Sequence, residues 1–336
     1  MSDQTVPQPP VIDPFDLLHL TLNPDGTLTR NPAVYLTVEA TPDPNHPTPV
    51  LSKDIPINPS KNTRARIYLP RQALDIMSPP ATKLPLIVYY HGGGFILSSV
   101  DATYCHDFCI NIAAEIPAVI VSAGYRLAPE HRLPAAYDDA VEALYSIKSS
   151  SEDWLVKYAD FSNCFLMGTS AGGNIAYHAG LRAATVVDEL VPLRIRGLIL
   201  HQPFFSGVQR SGSELRNMNA PIFTLAMADM MWDLSLPAAA DRDHEFCNPM
   251  GEGGSKLLDK VKSEGWRVVV IGCEGDLLVD RQKELVKLME EKGVEVVGHV
   301  AAGGHHGVEV LDVSRARAMC VIIKGFLSSP KPATLL

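Results

Sequence analysis

From residue 84 onward, short uninterrupted apolar runs alternate along the chain with longer stretches whose apolar positions recur every three or four residues. Runs such as Leu86-Ile87-Val88-Tyr89-Tyr90 and Val268-Val269-Val270-Ile271 are rich in β-branched and aromatic residues, as a strand buried on both faces requires. The pattern predicts strands over 84–91, 118–125, 163–168, 196–201, 267–273 and 294–300, with helices near 102–115, 135–149, 172–184, 280–292 and 313–327. Such alternation specifies the α/β class, a mostly parallel sheet with helices on both faces. Residues 1 to about 80 are Pro-rich and weakly periodic. Within them 41–49 reads as loop, and 53–57 and 65–69 read as antiparallel strands that open the sheet. No internal repeat is present.

One segment interrupts the alternation. Between the strand ending near His201 and the one starting at Arg267 lie about 65 residues, far more than one crossover needs. Its stretch 221–234 is apolar nearly all round, so a helix there must bury both faces, or bury one and line a pocket with the other. The expectation is one domain over 1–336 whose cap is built from about 1–45, including 15–22, and from 205–245. An ordinary packing helix would carry the same composition.

Two glycine-rich segments bring chemistry to this frame. Gly168-Thr169-Ser170-Ala171-Gly172 follows the apolar run Cys164-Phe165-Leu166-Met167 and precedes a helical pattern, which reads as a serine nucleophile on a strand-to-helix elbow. His91-Gly92-Gly93-Gly94-Phe95 follows another strand. Its unshielded backbone N–H groups suit an oxyanion hole of Gly92, Gly93 and Ala171, each donor worth about 3 kcal/mol of barrier. Neither a phosphate loop ending in Gly-Lys-Ser/Thr nor the dinucleotide pattern G-x-G-x-x-G is present. An oxygen nucleophile needs a base and a group to orient it, and in this fold both follow the serine. Asp276, just past the strand signal 267–273, is the orienting acid. Asp280 reads as the cap of the helix that follows. Adjacent His305 and His306 sit on a Gly-flanked loop after the last strand, where the base belongs. The remaining nine of the 11 His residues show no metal-ligand spacing with a third partner, so no metal or cofactor is expected.

Taken together, His91-Gly92-Gly93-Gly94, Tyr125-Arg126-Leu127-Ala128-Pro129-Glu130, Leu133-Pro134-Ala135-Ala136-Tyr137-Asp138-Asp139, Gly168-Thr169-Ser170-Ala171-Gly172, Asp276 and His306 make the chain resemble the plant carboxylesterases. These belong to the hormone-sensitive-lipase-like branch of the α/β-hydrolases. The resemblance runs from Leu22-Asn23-Pro24-Asp25-Gly26 to the last helix. It implies an α/β-hydrolase fold, Ser170, Asp276 and His306 as catalytic triad, oxyanion donors from the His91–Gly93 turn, and His306 over His305 because Gly307 follows it. His91, Gly94, Gly168 and Gly172 complete the motifs. Two positions depart from the family: Thr169 and Gly124 stand where many members carry an acid, which bears on pocket polarity.

Composition narrows the function further. With 46% hydrophobic and 20% charged residues the 336-residue chain can bury a large core, and a net charge of −9 disfavours nucleic acid and anionic membranes as partners. The N-terminus lacks a secretory pattern, and no apolar run reaches membrane-spanning length. The six Cys read as reduced, mostly buried thiols, and a cytoplasmic monomer is expected. The expected activity is hydrolysis of small apolar aliphatic or aromatic esters through an acyl-enzyme. A dehydratase- or cyclase-type lyase using the same site is the alternative. A hormone receptor fits less well, since similar receptors lack the His that is present here.

Overall fold

The computed structural model describes residues 13–74 and 83–328. Among the described residues the strands are β1 (Leu20–Leu22), β2 (Leu28–Arg30), β3 (Val50–Asn58), β4 (Thr63–Pro70), β5 (Leu84–Tyr90), β6 (Val119–Ala123), β7 (Ala159–Thr169), β8 (Ile195–His201), β9 (Arg267–Cys273) and β10 (Glu295–Ala301). β1 and β2 form a separate antiparallel hairpin, and the rest make one eight-stranded sheet in the order β10-β9-β8-β7-β5-β6-β4-β3. β3 and β4 are antiparallel to their neighbours, and β5 through β10 all run in one direction.

The period-two geometry of the strands sorts their side chains into two cores. Leu86, Val88 and Tyr90 of β5, Leu166 of β7 and Val268 and Val270 of β9 pack with helices Ala135–Lys148, Ala171–Ala183, Leu258–Ser263 and Val279–Glu291. Ile87, Tyr89, Phe165, Met167, Val269 and Ile271 face the other way, toward Thr103–Glu115 and Val313–Ser328. That two-sided burial is why these strands read as continuous apolar runs.

The register also places the chemistry. Tyr90 pairs with Gly168, Thr169 with His201, and Cys273 with Ala301, so the parallel strands end nearly level. The loops that leave them, carrying Gly92, Ser170, Asp276 and His306, therefore gather at the carboxyl edge of the sheet, where ligands bind in open α/β folds.

Elements shorter than the sequence pattern resolves are additional: the β1–β2 hairpin around Gly26, and helices Asp153–Tyr158, Gly212–Arg216 and Leu258–Ser263. A six-residue helix spans fewer than two turns and leaves no readable period. The apolar stretch 221–234 does form a helix, Leu225–Ser235, capped by the Thr224 side chain on Met227 N. The short helix Pro14–Leu17 packs against it. No helix among the described residues is long and apolar enough to cross a membrane.

Candidate active site

Ser170 leaves β7 at φ 56°, ψ −119°, a left-handed conformation that a residue with a side chain adopts at a cost of about 1–3 kcal/mol. The turn is held from outside. Ser170 N donates to His201 O at 2.9 Å, and Ser170 O accepts from Phe204 N at 2.9 Å and from Asn174 N at 3.1 Å. Helix Ala171–Ala183 starts at once, with Ser170 at its N-cap. The motif glycines are required by close approach: a Cβ on Gly168 would collide with the Gly172 carbonyl, and one on Gly172 with the carbonyls of Tyr90 and His91. Only at that separation does the end of β5 lie beside the elbow.

Asp276 sits in the turn after β9, fully buried. Its Oδ1 accepts from Leu278 N at 3.0 Å, and its Oδ2 from Gln282 Nε2 at 2.9 Å and from His306 Nδ1 at 3.0 Å. With Nδ1 as donor, Nε2 of His306 carries the lone pair, and it lies 2.9 Å from Ser170 Oγ. Phe223 packs its ring 4.7 Å from the imidazole. His305 turns away, its Nδ1 3.0 Å from the carbonyl of His306. The structure thus brings Ser170, His306 and Asp276 into one line and leaves His305 out of it.

Across Ser170 lies the His91–Gly94 turn. Among the described residues the N–H groups of Gly92, Gly93 and Ala171 have no hydrogen-bond acceptor in the protein. His91 is buried, and burial lowers its imidazole to about 4, so it is neutral at physiological pH. The Gly92 carbonyl 2.8 Å from Nδ1 assigns the proton to that nitrogen. Because the peptide is trans, fixing the Gly92 carbonyl on one side sends the Gly93 N–H to the other. Tyr125 braces the same turn, stacking on His91 at 4.3 Å and donating its hydroxyl to His91 O at 2.9 Å. Helix Leu225–Ser235 closes the far side: Ser235 Oγ donates to Gly94 O at 3.3 Å, and Met231 fills the space a side chain at Gly94 would take.

The remaining motif residues are structural. Arg126 makes a bidentate pair with buried Asp139 at 2.8 Å, and Glu130 accepts from Leu28 N and from the Arg30 guanidinium at 2.9 Å, which pins the β1–β2 hairpin to the loop after β6. Despite partial burial, the Arg30 bond holds the Glu130 carboxyl down at about 2. Gly124 is explained by Arg64 O, which a Cβ there would meet at 2.8 Å. Thr169 bonds through Oγ1 to His201 Nδ1 at 3.1 Å, a contact no local motif announces.

One expectation is corrected. Asp280 does not cap its own helix, which begins at Val279 with Leu278 in the cap position. Its Oδ2 instead accepts from Ser213 N at 2.6 Å, satisfying an N-terminal donor of helix Gly212–Arg216. A start misplaced by a single residue is enough to move the cap.

This arrangement of a serine, an imidazole, a buried carboxylate and unbonded backbone donors at the edge of a parallel sheet places the chain among hydrolases of α/β architecture. The family model described as alpha/beta hydrolase fold matches residues 87–310. Carboxylesterase 20 of Arabidopsis thaliana is 52% identical over 320 residues, covering 95% of this chain and 98% of that one. A 3-O-acetylpapaveroxine carboxylesterase of Papaver somniferum is 46% identical, covering 89% and 92%. Among solved structures, an esterase of Pyrobaculum calidifontis superposes with TM-score 0.68 at 26% identity, covering 85% of this chain and 88% of its own. The chain belongs to the α/β-hydrolase fold family, and within it to the plant carboxylesterases.

Proposed function

We propose that the protein hydrolyses small apolar aliphatic or aromatic carboxylic esters with Ser170 as nucleophile, His306 as base and Asp276 as orienting acid. The observation that carries this reading is the unbroken relay of 2.9 and 3.0 Å from Ser170 Oγ through His306 to a buried carboxylate. His306 Nε2 takes the Oγ proton as oxygen attacks the ester carbonyl. Asp276 holds the imidazole in the required tautomer and stabilises the imidazolium. The tetrahedral oxyanion is met by the N–H groups of Gly92, Gly93 and Ala171. His306 then protonates the leaving alcohol, and water, activated by the same base, releases the acid from the acyl-enzyme.

The chain is read as one domain whose cap comprises residues 13 to about 45 and 205–245; the part of the expected cap before residue 13 lies outside the described residues. Support comes from Met231 against Gly94, Phe223 against His306 and the contact between helices Pro14–Leu17 and Leu225–Ser235. An apolar wall of this kind favours uncharged acyl and alcohol groups. Six buried free thiols support a reducing, cytoplasmic setting, and the enzyme is read as a monomer.

The test is p-nitrophenol release from short-chain esters by wild type and Ser170→Ala, with intact mass after exposure to an organophosphate. Turnover and a one-to-one adduct, both lost in Ser170→Ala, are expected. An inert wild type that forms no adduct would overturn the hydrolase reading.

A further inference from the structure

The end of β8 holds together the two halves of the site. His201 and Gln202, both fully buried, reach toward Ser170 on one side and toward the loop of His306 on the other. On the serine side, His201 O accepts Ser170 N at 2.9 Å and its Nδ1 lies 3.1 Å from the hydroxyl of Thr169. On the base side, its Nε2 stands 3.1 Å from Glu309 Oε2, and Gln202 Oε1 accepts Gly307 N at 2.6 Å. Gln202 does this at φ 43°, a left-handed strain that persists only where surrounding contacts over-determine it. Its own N–H is tied to Ile271 O at 2.7 Å.

Glu309 opens helix Val308–Leu311, three residues beyond His306, and only 5% of its side chain is exposed. Burial alone would raise its carboxyl, but the neighbouring His201 pulls it below the ordinary value. A charge so enclosed, next to a fully buried imidazole, is costly to desolvate and weak evidence for stability. Its geometry points to placement: the segment after His306 is hydrogen-bonded at Gly307 to Gln202, and the Glu309 carboxylate is packed against His201 Nε2 without an aligned hydrogen bond, both beside the end of the strand whose carbonyl holds Ser170.

We infer that His201, Gln202 and Glu309 are positioning residues that set the distance between Ser170 Oγ and His306 Nε2. They touch neither substrate nor reacting atoms: His201 acts on the backbone of Ser170, and Gln202 and Glu309 act through the loop of His306. The inference rests on the reading of Ser170 and His306 as nucleophile and base. A misplacement of about 1 Å at such a pair costs about 100-fold in rate.

The test measures kcat, KM and Tm on p-nitrophenyl acetate for Glu309→Ala and the volume-conserving Glu309→Gln, each alone and combined with His306→Ala, with wild type and Ser170→Ala alongside. Glu309→Ala is expected to lose about 10- to 100-fold in kcat at unchanged KM, and Glu309→Gln about 5-fold. In the His306→Ala background both changes should alter the residual rate by less than about 2-fold, as groups acting through one another are non-additive. Folded variants with wild-type kcat, or a loss that persists undiminished without His306, overturn the inference. Should Glu309→Ala not fold, Glu309→Gln decides by the same two criteria. A wild type without Ser170-dependent turnover strikes the esterase reading itself, before Glu309 enters.

Discussion

Ser170 and His306 lie 2.9 Å apart, yet they are held by opposite means. Ser170 is fixed by backbone: its N–H and C=O are bonded to His201, Phe204 and Asn174, and the glycines beside it let strand and helix close to contact. His306 hangs from the edge strand β10, most of whose residues are exposed, and depends on side chains: Asp276 after β9 on its ring, Gln202 on the N–H of the following Gly307, and Glu309 of its own segment packed against His201. A backbone-held group needs a short motif. A side-chain-held group needs a whole neighbourhood, and it can be retuned without altering the motif.

That contrast can be broken at either end. The largest effect is expected from Asp276→Asn, which keeps the shape but removes the charge and can reverse the tautomer of His306; kcat should fall about 10,000-fold with little change in Tm. A loss below about 10-fold would show that His306 is oriented without it. On the backbone-held side, Gly172→Ala drives a methyl into the carbonyls of Tyr90 and His91, and a destabilisation of about 3 kcal/mol should appear in chemical denaturation together with lost turnover. An unchanged midpoint would refute the close approach.

Acid should act on the backbone-held half next. Burial holds His91 at about 4 and His178 at about 3, below the ordinary 6.5. Between those values the unfolded chain binds protons that the folded chain refuses, so stability is full above pH 6.5 and falls as the pH drops toward 4. Tm recorded from about pH 7 to about pH 4.5 should decline steadily, and a rise on acidification would contradict neutral buried imidazoles. The smallest effect belongs to Glu130→Gln, which weakens the bond to Arg30 at the hairpin; about 1 kcal/mol is expected, read as a small drop in Tm. A drop as large as that of Gly172→Ala would show that the Glu130–Arg30 bond, and not the burial of Leu20 and Leu28, holds the hairpin in place.

The same contrast explains what the sequence announced. The elbow and the His91–Gly94 turn were legible because their chemistry is local: consecutive glycines between a strand pattern and a helix pattern have few other uses. Asp276 was legible from chain order and from its place just past a strand. His306 was separated from His305 by the family pattern, since two adjacent imidazoles on one loop are equivalent until their directions are known. His201, Gln202 and Glu309 gave no signal, because partners 105 residues apart, as Gly307 and Gln202 are, leave no periodicity. The central strands of the main sheet, β5 to β9, were readable from two-sided burial. The hairpin β1–β2 was not, being three residues per strand and held by contacts distant in sequence: Leu20 and Leu28 buried in the core, and Arg30 bonded to Glu130 and to the carbonyls of Ile96 and Ala128.

All six cysteines lie buried as free thiols. A cysteine introduced at an exposed position such as Met218, beside helix Leu225–Ser235, would therefore be the preferred target of a maleimide dye under native conditions. The protein thus offers a nearly blank background for a single fluorescent reporter, one able to follow helix Leu225–Ser235 as ester enters and acid leaves.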